Sequence, residues 1–147
     1  MQNMLAVGVV ALLPSIVAAD YIETSWRIEN FTGDAAFLDA SDVIGQLQVF
    51  EGGFADGPLY QCDFAGQYMT YSTYETAAFL ANPAFSAFEP VREAISRTST
   101  KVFVHRISCN GGGDDVARKV LYPFVTVDNV GVAWYPFEGG VFSLVSE

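Results

Sequence analysis

His105 is the only histidine of this 147-residue chain. It lies in VFVHRISCNGGGDD (residues 102–115), which also holds one of two cysteines and ends in three glycines and two aspartates. A catalytic histidine needs a nucleophile and an orienting carboxylate beside it. Asp63 is the least ordinary acid on offer, placed next to Cys62 and just before Ala65-Gly66. A turn-starting role suits Asp63 better, and no GxSxG occurs to form a nucleophile elbow. Zinc needs three good protein ligands, which one histidine and two distant cysteines expected to be oxidised do not supply without carboxylates. Asn110, Asp114 and Asp115 are candidate calcium ligands, but their loop lacks the alternating acids and terminal glutamate of an EF-hand. Three glycines between strands more simply make a hairpin loop. No cofactor and no metal is expected, and a hydrolase-type enzyme using His105 stands as a second alternative function.

The elements around His105 support the bland reading. Along an extended chain Phe103, His105, Ile107 and Cys109 share one face, and Val102, Val104, Arg106 and Ser108 share the other. Both faces are partly apolar, as in the middle of a sheet. A buried histidine hydrogen-bonded to a carbonyl or a tyrosine is therefore expected.

Upstream, YIETSWRIENF places Ile22, Thr24, Trp26 and Ile28 on one side of a strand. In GQLQVFEGG, Leu47 and Val49 alternate with Gln46, Gln48 and Phe50 before two glycines end the strand. Residues 59–72 read as a β-hairpin turning at Ala65-Gly66. Ser72-Thr73-Tyr74-Glu75 has the form of a capping box. It opens a helix over 73–97, broken at Asn82-Pro83 and Pro90, with Val91, Ala94 and Ile95 inward. Strands return at 101–109, 119–127, 130–137 and 141–145, with Pro123 and Pro136 expected at edges or bulges. Short turns between successive strands favour an antiparallel meander. The expected fold is mainly β: a small antiparallel β-barrel or sandwich of about seven or eight strands with one broken helix inserted midway.

The first 19 residues have the layout of a secretory signal peptide, an apolar run ending in Val17-Ala18-Ala19 before Asp20. The run is shorter than the roughly 20 apolar residues that span a bilayer, so no stable membrane insertion is expected. Residues 20–147 then form a single secreted or periplasmic domain, large enough for one core. In an oxidising compartment Cys62 and Cys109 are expected to pair, closing a loop worth about 4 kcal/mol in the chain-entropy model. The net charge of −10 and the scattered arginines exclude nucleic acid as a partner class.

A barrel of this size with an early tryptophan, Trp26, is similar to lipocalin-like proteins, although Thr24 stands where those carry a glycine. LYQCDFAGQYMTY (59–71) also resembles the Tyr-x-Cys hairpin of periplasmic lysozyme inhibitors over about a tenth of the chain. The first likeness implies an exported, non-catalytic binding protein holding a small apolar or amphipathic ligand. Tyr71, Trp134 and Phe137 are the expected lining residues, since tyrosine and tryptophan join an apolar face to a polar handle. A protein-interaction or inhibitor module is the alternative.

Overall fold

The computed structural model describes residues 22–34, 39–51, 54–63, 70–107, 123–128 and 131–147, without the side chains of 62, 63 and 70. Its strands are β1 (Ser25–Gly33), β2 (Leu47–Glu51), β3 (Phe54–Asp56), β4 (Cys62–Asp63), β5 (Thr70–Glu75), β6 (Lys101–Arg106), β7 (Phe124–Val127), β8 (Val132–Phe137) and β9 (Gly140–Ser146). Between β5 and β6 run helix α1 (Thr76–Ala81), a 3-10 stretch (Pro83–Val91) and helix α2 (Arg92–Thr98). All nine strands form one antiparallel sheet in the order β4-β3-β2-β1-β9-β8-β7-β6-β5. Every neighbouring pair except β1–β9 is consecutive in sequence. The first and last long strands thus pair with each other, and the meander lies open between β4 and β5.

The sheet is strongly curled. Three strands separate β2 from β7, which in a flat sheet would stand about 19 Å apart. Yet the rings of Phe50 and Phe124 meet at 5.1 Å, and those of Tyr60 and Tyr135 at 5.2 Å. The result is a half-barrel around a concave core of Trp26, Ile28, Phe50, Phe124, Tyr135, Phe142 and Leu144. A second core covers the outer face of β6–β9, where Val102, Val104, Val125, Val127, Trp134 and Val141 pack under Phe79, Phe88, Val91 and Ile95 of the helical segment. This is the expected mainly antiparallel β fold with a broken helix midway. The helix rests on a sheet face.

Local chemistry explains where the helical segment breaks. The Asn82 side chain accepts from the Ala84 amide at 3.0 Å, with Pro83 at the first position of the next turn. Between β8 and β9, Glu138 and Gly139 both take positive φ (40° and 88°). That is the backbone of a two-residue turn matched to strand twist.

Three local expectations are corrected. The described arms of the 59–72 hairpin pair elsewhere: Cys62-Asp63 joins Ala55 and Phe54, whereas Thr70–Glu75 joins Arg106–Lys101. No pairing between the arms occurs among the described residues. The capping box at 72–75 is not formed, because those residues complete β5 and the helix begins at Thr76. Pairing six residues against β6 outweighs a local cap. Pro136 sits in an interior strand, but β7 pairs β8 only at Trp134 and Ala133, so that ladder ends before the proline.

Candidate functional site

Strand register brings the expected histidine into a polar contact on the concave face. Tyr71 stands opposite His105 across β5–β6, and His105 stands opposite Phe124 across β6–β7. His105 is buried, and its Nε2 lies 2.8 Å from the Thr126 hydroxyl, itself fully buried. Burial pushes the imidazole pKa down from 6.5 to about 4, because desolvation penalises the charged ring. The ring is neutral at pH 7. An imidazole beside a hydroxyl is half of a nucleophilic relay, but among the described residues no carboxylate reaches this pair, and Thr126 is closed to solvent. What the geometry does is satisfy two polar groups inside an aromatic wall made with the rings of Tyr71 and Phe124.

The other anticipated residues do not converge. Tyr71 is half-exposed on the edge strand β5 and touches the Phe103 ring. Trp134 points to the outer face and is buried under the helical segment. Phe137 packs at the margin of the concave core. Asp63 lies on β4 opposite Phe54, with its side chain outside the described residues. Cys109, Asn110, Asp114 and Asp115, the Cys62 side chain and the leader 1–19 also lie outside them. Among the described residues no cluster of three metal-ligating side chains occurs, and no helix is long and apolar enough to cross a membrane.

A different surface emerges from the orientation of β2. Gln48 is fully buried and serves as the clamp of the core: its Oε1 accepts from the amides of Leu59 and Tyr60, both at 3.0 Å, and its Nε2 donates to the Tyr60 carbonyl at 3.0 Å. With Gln48 and Phe50 inward, Leu47 and Val49 must face out. Leu47 and Phe54 are 43% and 45% exposed, and Ile44 just before β2 is 41% exposed. The register Val49↔Asp56 and Glu51↔Phe54 puts Leu47, Val49 and Phe54 on one face, interleaved with Glu51 and Asp56. The one base nearby among the described residues, Arg27 of β1, is held by Glu29 at 2.8 Å and Glu147 at 2.6 Å. Residues 22–63 contain eight acids and one base, so this lobe carries most of the chain's net charge of −10.

Periodicity alone could not find this face. Gln-Leu-Gln-Val-Phe fits either orientation of a strand, and only the 59–60 backbone meeting Gln48 selects one. No family model, no curated protein and no solved structure matches this chain, so the reading of its function rests on its own geometry.

Proposed function

We propose that this chain is an exported, non-catalytic interaction module that docks the outer face of β2 and β3 onto a basic protein surface. The observation that carries the reading is the exposure of Leu47 and Phe54 together, within a lobe of eight acids and one committed arginine. Large apolar side chains at the centre of a patch supply desolvation, and the surrounding charge steers a cationic partner and sets its orientation. Export through the leader 1–19 and a Cys62–Cys109 bond belong to the same proposal. The ligand-carrier reading needs room inside the barrel. The contacts among Trp26, Phe50, Tyr60, Phe124 and Tyr135 across that interior favour the interaction module instead.

The test combines site-specific photo-crosslinking at residue 54, in the native export compartment, with affinity measurements on the partner so identified. The expected partner is basic, and its affinity falls as salt rises. Leu47→Asp and Phe54→Asp should each weaken binding roughly tenfold or more without altering the fold. An affinity indifferent to both substitutions and to salt would overturn the proposal. A native mass spectrum with a small adduct that vanishes on denaturation would return the argument to the carrier.

A further inference from the structure

On the outer face of the sheet, where the end of the 3-10 stretch packs on β1 and β9 and leads into α2, lies a cleft of about 550 Å³. Its floor is polar: Asn30 and Ser143 are register partners, and Thr32 follows on the same face of β1. Its helical wall carries Glu89, Arg92, Glu93 and Arg97. Two full positive and two full negative charges therefore face a cleft floored by an amide and two hydroxyls.

These charges are weakly committed to one another. Arg92 donates from Nη1 to the Leu80 carbonyl at 2.9 Å, and its approach to Glu89 is 3.8 Å. Among the described residues Arg97 uses only Nε, on the Glu93 carbonyl at 3.4 Å. The Glu93 carboxylate makes no ion pair among the described residues. Among the described residues each guanidinium keeps most of its five donors, and the Asn30 amide keeps its NH₂, since its Oδ1 alone is engaged there, by the Phe31 amide. A simple anion would satisfy the arginines and repel the glutamates. A simple cation would do the reverse.

We propose that this cleft binds a small zwitterion, an α-amino acid or dipeptide. The ligand carboxylate meets Arg92 and Arg97, its ammonium meets Glu93 and Glu89, and its backbone polar groups meet Asn30, Thr32 and Ser143. Charge-assisted hydrogen bonds at both ends give such a ligand its affinity and its orientation. The cleft volume falls within the range usual for small-molecule sites. The inference is independent of the docking face on β2 and β3.

The experiment is a titration of the ¹⁵N-labelled full chain with glycylglycine, with acetate, methylammonium and glucose as separate probes. Saturable amide shifts at Asn30, Thr32, Ser143 and Arg97 are expected with glycylglycine alone. Arg97→Gln and Glu93→Gln should each weaken that binding roughly tenfold, with the spectrum otherwise unchanged. Acetate binding as tightly would make this an anion site and overturn the proposal. Equal binding of glucose, no saturable shift, or indifference to both substitutions would overturn it too.

Discussion

At the residue scale the two most informative side chains are buried polar ones. His105 is neutral in the folded protein, and its proton affinity gives stability a definite pH dependence. The unfolded chain takes up this proton near pH 6.5 and the folded chain only near pH 4. Between those values the unfolded state binds more protons, so stability falls as pH drops through the window. The full loss is about 3 kcal/mol, reached below the folded pKa and absent above the unfolded one. Urea denaturation across that window should show the slope in the wild type and not in His105→Gln. An identical slope in the variant would mean that another group titrates.

Gln48 is the second such residue. Gln48→Ala removes three hydrogen bonds to the buried 59–60 backbone, at an expected cost of about 3 kcal/mol. Gln48→Glu keeps an acceptor but sets a second oxygen against the Tyr60 carbonyl. It should be more destabilising at neutral pH than at a pH low enough to protonate it. Equilibrium unfolding of both variants checks the pair, and a loss under ~1 kcal/mol in Gln48→Ala would show that the clamp is dispensable.

At the scale of elements, turns and caps decide where strands meet. Glu138 holds φ 40° without being glycine or asparagine, a conformation that strains most side chains. Glu138→Asn should raise stability by roughly 0.5 kcal/mol, because Asn-Gly is the preferred pair for this turn. Thermal unfolding would show a small increase in Tm; a decrease would mean that the Glu138 side chain has a stabilising contact. Asn82→Ala removes the cap before Pro83, with an expected loss of about 1 kcal/mol. The Asn82-Pro83 break was legible in the sequence because its chemistry is local. The capping box at 72–75 misled for the same reason. Its local bonds were credible, but Tyr71 and Tyr74 had a longer-range alternative in pairing with His105 and Val102.

At the scale of the whole molecule, the half-barrel is held by rings that meet across it. Phe124 touches Trp26 at 5.6 Å and Phe50 at 5.1 Å. Phe124→Ala should cost about 4 kcal/mol and leave an apolar void, which a small aromatic probe would enter more readily than it enters the wild type. Equal uptake by the two proteins would show that the interior already has space. The distribution of charge acts at this scale as well. The acidic lobe of β1–β4 gives the molecule a pole, and the exposed Leu47 and Phe54 lie on it.

By itself the sequence determined the mainly β character, the place of the helical segment in the strand order with its break at Asn82-Pro83, and the burial of His105, whereas Pro90 lies inside the 3-10 stretch and breaks nothing. Each of these follows from a period-two pattern, a cap or a proline acting within a few residues. Tertiary structure alone decided that β1 pairs with β9, that β4 and β5 end on opposite sides of the opening, and that Trp134 faces the helix. It also decided that Gln48, and not Leu47, enters the core. A strand pattern of period two is symmetric between its faces. The choice between them is made by partners distant in the chain, here the backbone of Leu59 and Tyr60, which no local pattern announces.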